Sequence, residues 1–502
     1  MNRNEERRPN ILFFMTDSWD GRALGCMGHP AMRAATPNAD ALAARGALLR
    51  NAYTSHPICC PARANLWSGR YTHHCESWNN HKGLEPGEPT FKDHLEAHGY
   101  RFASERGGFG KHDYRSGGHT NQARVSAWTG PADLPLTVKY APKKPKILDG
   151  DDIRVHGKDW QTVDKAVAFL EETPEDDAPF FLYVSTGQPH PPFLTNRRYL
   201  ARIDREQISM PAEDESLHPV MEYQRRNKDW PFGFDDDFVR TVRAIYYAMC
   251  AETDAMLGTV LEALERTGKM ENTYVVFASD HGENNMEHRQ WYKMNHYESS
   301  VRIPLVVAGP GIAPGTVIDN IVSLIDLFPT FLEIGGAPCP EAADGESLLP
   351  LVSGRTATSR NRAFASFTGT TMNTTAWMLR EGDWKYIAYP GYPPQLFNLA
   401  EDPDEVRNRA DECPDVVQDM DHRLREVVDY EEAHRRCQAY NRRAFREWRE
   451  RVRREGVPMK EYGFRCEKAT YSEAMGNIYP GFAEEHDRML DSWLAESAGS
   501  GS

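Results

Sequence analysis

Four places in the sequence gather residue types that handle metal ions and anions. Asp17-Ser18 ends one apolar run, Gln188-Pro189-His190-Pro191-Pro192 follows a second, and Ser279-Asp280-His281-Gly282-Glu283 terminates a third. Ligands of doubly wound sheets bind beyond the carboxyl ends of the strands. Asp17, Asp280 and His281 would converge there as two carboxylates and an imidazole, a three-ligand set for a divalent cation with open positions. Taken singly, each is an ordinary turn or capping residue; their shared placement at strand ends is what points to a metal. The fourth place is the stretch 57–70, which contains Cys59-Cys60-Pro61-Ala62-Arg63. Pro61 suits the first turn of a helix, which puts Cys59 just ahead of a helix N-terminus, where free N–H groups and the macrodipole favour an anion. A nucleophile at 59 would meet its anionic substrate there, with Arg63 one turn on to hydrogen-bond the group at 59. The same residues also fit two small buried cysteines in front of a core helix.

The elements that must position these groups are short apolar runs alternating with helical patterns, the signature of an α/β sheet with helices on both faces. Residues 10–16, 179–185, 273–279 and 304–308 read as strands. Between them, 238–264 carries Val242, Ile245, Tyr246, Met249, Met256, Leu257, Val260, Leu261 and Leu264 at helical spacing, stopped by Gly268. Residues 160–172 form a similar helix with Ala166, Val167, Phe169 and Leu170 inward. A polar linker over 353–362 places a domain boundary near 360, dividing 1–360 from 361–502. Beyond it, 363–367, 375–380 and 384–389 read as short strands and 414–430 as a helix. The Arg-rich stretch 431–455 reads either as an anion- or partner-binding helix or as a solvated face interleaved with Glu. Residues 499–502 read as a flexible tail.

Composition limits what this machinery can serve. A chain of 502 residues, 40% apolar, 11% aromatic and 26% charged, is long enough to bury a sizeable core. Fifty-nine Lys plus Arg against 74 Asp plus Glu give −15, which excludes a general attraction to nucleic acid. An anionic substrate must therefore be captured by a local cluster of cations. No run approaches the 18 apolar residues of a membrane span. The charged segment 1–9 has no apolar core of the secretory kind, so the chain as written is expected in the cytoplasm unless a leader was removed. The nine cysteines lack regular spacing and read mostly as reduced core residues.

The pattern Cys59-x-Pro61-x-Arg63, followed by Leu66, Ser68 and Gly69, resembles the signature of the type I, formylglycine-dependent sulfatases of the alkaline phosphatase superfamily. Further matching runs are Thr36-Pro37-Asn38 with Asp40, Gly110-Lys111, Pro189-His190-Pro191, residues 279–283, Lys293, Tyr297-Glu298, and Leu396-Phe397-Asn398-Leu399 with Asp402-Pro403. Within the family, the runs 51–54, 76–80, 246–254 and Glu287-His288-Arg289-Gln290 look like the branch of glucuronate-2-sulfatases. The resemblance implies a mixed, mostly parallel sheet sandwiched by helices, with a smaller C-terminal α+β subdomain carrying an antiparallel sheet.

It also implies a chemistry. Cys59 would be oxidised to formylglycine by a maturation enzyme, and its hydrated form would be the nucleophile against a sulfate ester, an aryl sulfate or a 2-sulfated uronic acid. One divalent cation would bind Asp17, Asp280, His281 and the group at 59. Calcium is the family's usual ion; Ser18, where many relatives carry another acid, and His281, where many carry Asn, make manganese or zinc alternatives. Lys111, Lys293 and Arg63 would surround the sulfate oxygens, His190 would protonate the leaving alcohol, and His288 would join Lys111, His190 and Lys293 in contacting substrate. Sulfate would then leave by elimination. Lys111-His112-Asp113 has Asp where many relatives have the elimination His, so the base is His112 or Asp113. His81 and Lys82 are candidates for holding a uronate carboxylate, or belong to an ordinary exposed loop. The alternative readings are a phosphonate monoester or phosphodiester hydrolase of the same superfamily and, in another class, a non-catalytic binding protein. No nucleic acid or membrane partner is expected, and a homo-oligomer is compatible with the sequence.

Overall fold

The computed structural model describes residues 7–80, 82–103, 114–115, 145–174, 178–227, 234–369, 372–458, 468–473 and 483–495. Its centre is an eight-stranded sheet whose strands are, in chain order, β1 (Asn10–Asp17), β2 (Ala47–Tyr53), β3 (Arg101–Ala103), β4 (Phe180–Pro189), β5 (Thr273–Ser279), β6 (Arg302–Ile303), β7 (Leu305–Ala308) and β8 (Thr316–Ser323). They lie in the order β8-β2-β7-β5-β1-β4-β3, with β6 paired to β2. All pairings are parallel except those of β7 with β2 and β5 and of β6 with β2.

Continuous apolar runs form the middle of this sheet because both faces are covered. In β1, Leu12 and Phe14 join one core, with the helices Gly157–Glu172 and Asp236–Arg266, while Ile11, Phe13 and Met15 join another, with the helices Cys59–Ser68, Phe91–Ala97 and Leu327–Gly335. The same alternation splits β4 into Phe180, Leu182 and Val184 against Phe181 and Tyr183. The long helix Asp236–Arg266 starts where Asp235 accepts a hydrogen bond from Phe238 N at 2.7 Å, with Asp236 and Asp237 in the first turn and Arg266 in the last. All four strands expected in this part of the chain form, and so do the two helices, each a few residues longer than their patterns.

A second sheet is antiparallel, with β9 (Arg362–Phe367), β10 (Ala376–Glu381), β11 (Trp384–Tyr389) and β12 (Tyr392–Asn398) in sequence order. Its Ala363, Ala365, Phe367, Met378 and Ile387 pack on Tyr53, Ile58, Tyr297, Val301 and Ile321 of the main body. Its opposite face carries Trp377, Leu379 and Tyr386 against Met420 and Leu424. The helix expected over 414–430 ends at Val427, and a new one, Tyr430–Glu455, begins with Asp429 as its cap. That helix holds the whole Arg-rich stretch, and several of its arginines find partners within the chain. Arg449 and Arg453 pair with Asp487 of the helix Glu484–Ala495, Arg436 with Glu76, and Arg435 with Glu432. The structure thus spends these charges on intramolecular pairing. The eight cysteines among the described residues are all free thiols, five of them buried.

The two sheets are tied by a buried ion cluster. Lys385 of β11 reaches Glu298 Oε1 at 2.9 Å and Glu405 Oε1 at 2.5 Å, and donates to the His296 carbonyl at 2.8 Å. Burial alone would raise the Glu298 carboxyl, but Lys385, Arg302 and Arg380 outweigh it and hold its pKa down to about 2. In Lys385→Met, two buried carboxylates would face each other without their cation, and we expect a loss of about 3–5 kcal/mol of stability at neutral pH. Glu405, whose carboxyl burial already raises against the pull of Lys385, would then titrate higher still and Glu298 would rise from its lowered value, so the folded state would bind more protons and the deficit would shrink as pH falls. Urea unfolding of both proteins at pH 7 and pH 5 checks this; an equal deficit at both pH values contradicts it.

Candidate active site

Three of the expected ligands arrive on neighbouring strand ends. Asp17 is the last residue of β1, in register with Pro189 of β4, and Thr16 is in register with Ser279, the last residue of β5. Asp280 and His281 therefore emerge directly beside Asp17. Gly282 is tolerated only because it lacks a side chain: a Cβ there would lie 2.0 Å from the Ser299 carbonyl oxygen, while its N–H bonds Ser300 O at 2.8 Å. Cys59 is the first residue of the helix Cys59–Ser68 rather than the one before it, with Pro61 still in the first turn. Ile58 precedes it and cannot cap, and the Cys60 N–H is accepted instead by Asn80 Oδ1 at 3.0 Å.

The four donors Asp17, Cys59, Asp280 and His281 are all buried and lie within 4.8 Å of one another. Cys59 Sγ is 3.3 Å from His281 Nε2 and 3.7 Å from Asp17 Oδ1, and His281 Nε2 is 3.5 Å from Asp280 Oδ1. The His281 Nδ1–H donates to the Gly282 carbonyl at 3.0 Å, which turns the Nε2 lone pair toward the other donors. Burial lowers the His281 pKa, with Lys293 adding to the effect against the pull of Asp280 and Asp17, so the imidazole is neutral as a ligand must be. Two carboxylates, one neutral imidazole and a sulfur or oxygen at 59 fit a divalent cation.

Arg63 makes this burial tolerable. It is wholly buried and donates to Asp280 Oδ2 at 2.9 Å, Asp17 Oδ2 at 3.3 Å and Ser185 Oγ at 3.0 Å. Both Oδ1 atoms are thereby left on the side of His281. Ser18 Oγ donates to Asp17 Oδ1 at 3.0 Å and accepts from Lys293 Nζ at 3.1 Å, while Ser18 N donates to Asp280 Oδ1 at 3.2 Å. A hydroxyl at 18 thus links Lys293 to the ligand pair. Its chemical difference from an acid is legible in the sequence; the link to Lys293 is not.

The remaining expectations divide. His190 follows Pro189, so it stands beside the Asp17 end of β1, half-buried, with Nδ1 donating to the Pro191 carbonyl at 2.6 Å. His288 is brought to the same loop as Lys293, but its Nδ1 is engaged by Asp214 Oδ1 at 2.5 Å and its ring stacks on Tyr297 with centroids 3.5 Å apart. Lys82 pairs with Glu85, so part of its charge is already used. Lys111, His112, Asp113 and His81 lie outside the described residues.

The segment that carries Lys293 is conformationally costly. Asn285, Met286, His288, Arg289, Tyr292 and Met294 all have φ between 45° and 88°, six non-glycine residues in ten positions. Each left-handed residue costs about 1–2 kcal/mol in isolation, and such strain persists only when the surroundings over-determine it. Glu283 Oε1 accepts from the amides of Asn285 and Tyr292, and the Asn284 amide donates to the Tyr292 carbonyl at 2.6 Å. The sequence does not disclose this support, because no local pattern tells which amides the Glu283 carboxylate will meet.

Comparison with known proteins bears on the family and the fold. Residues 9–337 match the Sulfatase family, and residues 286–430 match the family described as N-sulphoglucosamine sulphohydrolase, C-terminal. The chain is 40% identical to arylsulfatase K of Xenopus laevis over 474 residues, which cover 89% of this chain and 87% of that protein. It is 38% identical to arylsulfatase K of Homo sapiens, covering 90% of this chain and 88% of that one. Among solved structures, the phosphonate monoester hydrolase of Agrobacterium radiobacter shares the fold with a TM-score of 0.69 at 23% identity, covering 84% of this chain and 95% of that one. A 2-O GAG sulfatase does so with a TM-score of 0.67 at 24% identity, covering 84% and 92%. With the strand-end ligands, the cysteine at the helix start and two thirds of its length matched, the chain belongs to the sulfatase family.

Proposed function

We propose that this protein hydrolyses sulfate esters, with the side chain at 59 oxidised from cysteine to formylglycine by a maturation enzyme and acting as nucleophile beside a divalent cation. The observation that carries this reading is the convergence of Asp17, Asp280, His281 and Cys59 within 4.8 Å at the start of a helix, with Arg63 and Lys293 attached to the same cluster. Calcium is the first choice of ion, with manganese or zinc fitting a set that contains an imidazole and only two carboxylates. When bound, the cation supplies positive charge that lowers the proton affinity of the group at 59 and offsets the negative charge of the sulfate. The hydrated aldehyde supplies one hydroxyl to attack sulfur and a second whose deprotonation expels sulfate and restores the aldehyde.

The chain's own residues do the rest. Arg63 and Lys293 balance the two carboxylates, so the cluster is near neutral by itself and a dication would make it attractive to an anionic ester. Lys293, with Lys111, holds sulfate oxygens and stabilises charge in the transferring group. His190, its Nδ1–H tied to a backbone carbonyl, protonates the departing alcohol oxygen from Nε2. His112 or Asp113 takes the proton in the elimination. The substrate is a sulfated sugar or aryl sulfate. The likeness to arylsulfatase K, with which the run 76–80 is shared, supports a 2-sulfated uronic acid.

Cys59→Ala is expected to keep the fold and lose at least about 10³-fold in turnover, since removing a nucleophile leaves only binding and electrostatic assistance. Mass spectrometry of the peptide spanning 51–63 from cells with the maturation enzyme should show the thiol-to-aldehyde change. Retained turnover in the alanine variant would move the nucleophile elsewhere. His190→Ala should cost roughly 10²–10⁴-fold on a sugar sulfate and far less on an aryl sulfate with an acidic phenol, because general acid catalysis matters most for poor leaving groups. Equal losses on both substrates would remove His190 from the proton transfer. The second reading, a phosphonate or phosphodiester hydrolase, draws on Ser18 and His281, which make the ligand set less acidic. A sulfate ester and a phosphodiester with the same leaving group decide between them, and we expect the higher kcat/KM for the sulfate.

A further inference from the structure

The strained segment 285–294 is gripped by one helix that also grips the residues after β1. Arg243, buried on the helix Asp236–Arg266, donates through Nη1 to the Asn285 carbonyl at 3.1 Å and to Glu287 Oε1 at 2.9 Å, and through Nη2 to Tyr247 OH at 3.2 Å. Glu287 Oε1 is also 3.8 Å from Arg22 Nη2, which pairs with Asp20 Oδ2 at 2.8 Å. Next to Arg243 on the helix, Tyr246 OH donates to the Ser18 carbonyl and accepts from the Asp20 amide, both at 2.9 Å. The two gripped segments are joined by the Arg22–Glu287 pair and, nearer the ligand cluster, by the 3.1 Å contact of Lys293 Nζ with Ser18 Oγ.

We propose that Arg243 is a positioning residue for Lys293: the chain Arg243–Glu287–Arg22–Asp20 clamps the Lys293 segment against the Ser18 segment and so sets where the lysine ammonium stands. An ion chain whose middle members, Arg22 and Glu287, are half-buried adds little stability by itself, so its presence calls for a geometric role. Here the geometry is plain. A backbone held in left-handed conformations at six positions relaxes to extended ones once its carbonyl and carboxylate anchors are cut, and a long side chain such as Lys293 then has no fixed origin. Although burial opposes it, Arg243 and then Arg22 hold the Glu287 carboxyl below the usual range, which keeps the chain ionised.

The inference rests on the reading that Lys293 contacts the sulfate, and a double-mutant cycle separates the two. In the matured enzyme, Arg243→Ala should lower kcat roughly ten- to hundredfold, with KM changed far less, whereas in a Lys293→Ala background the same substitution should cost less than about threefold. Equal losses in the two backgrounds overturn the proposal, as does an undiminished kcat in Arg243→Ala. Arg243→Lys, which keeps the charge but not the forked contacts, should recover part of the loss. If Arg243→Ala does not fold, Glu287→Gln cuts the same chain and enters the same cycle. If Lys293→Ala alone retains full kcat, the sulfate-binding reading fails; a crystal structure of the Arg243 or Glu287 variant then decides the clamp. Lys293 Nζ beyond hydrogen-bond reach of Ser18 Oγ supports it, and an unchanged contact overturns it.

Discussion

Two carboxylates of like charge are buried side by side at the ends of β1 and β5, and the rest of the site follows from how that is made tolerable. An ionised carboxylate without a partner in such a place would neutralise itself or unfold its surroundings. Arg63 resolves this by bridging Asp17 and Asp280 through their Oδ2 atoms. It stands four residues after Cys59 on the same helix, and residues at that spacing share a face. Anchoring the guanidinium therefore also fixes the rotation of the helix, and with it the direction of the group at 59. The group at 59 is aimed by the same contact that permits the two carboxylates to be buried.

This arrangement also explains how a protein of net charge −15 can serve an anion. Beyond about 8–10 Å at physiological salt the surface charge is screened, so what matters to a substrate at the site is the local balance. There the acids are already spent on Arg63 and on Ser18, and Lys293 is tied to a hydroxyl rather than to a carboxylate. An acid at position 18 would take the lysine as an ion-pair partner. The serine leaves it a full positive charge, held in place by a neutral contact.

The middle of the sheet was legible because strands covered on both faces must be apolar throughout, and β1, β4, β5 and β7 are. Strand β8 was not, since Asp319-Asn320 interrupts it at an irregularity in its pairing with β2, between Ile318 and Ile321. Strand β12 hid behind Pro393-Pro394, residues that a sheet accepts at an edge, which is where β12 lies. In the site, Asp17, Asp280, His281, Cys59 and Arg63 were readable because strand ends and a Pro-marked helix start have sequence signatures. Asn80 and Arg243 were not. Their partners lie 20 and 44 residues away, and no local pattern encodes which amide or carboxylate will be met. Lys111, His112 and Asp113 remain expectations of the resemblance.

Those long-range contacts connect the second sheet to the segment that carries Lys293. The segment bearing Lys293 is held at one end by the helix Asp236–Arg266 through Arg243. Immediately after its other end come the His296 carbonyl and the Glu298 carboxylate, both bound by Lys385 of β11. Tyr53, at the end of β2, donates to Glu298 as well and accepts from Arg380 of β10. A backbone in left-handed conformations stores no memory of its own shape, so both ends must be fixed from outside. One anchor comes from the main body and the other from the antiparallel sheet. The antiparallel sheet therefore fixes one end of the segment that carries Lys293, and it also packs on Ile58 beside Cys59, which ties the C-terminal region to both sides of the buried cluster.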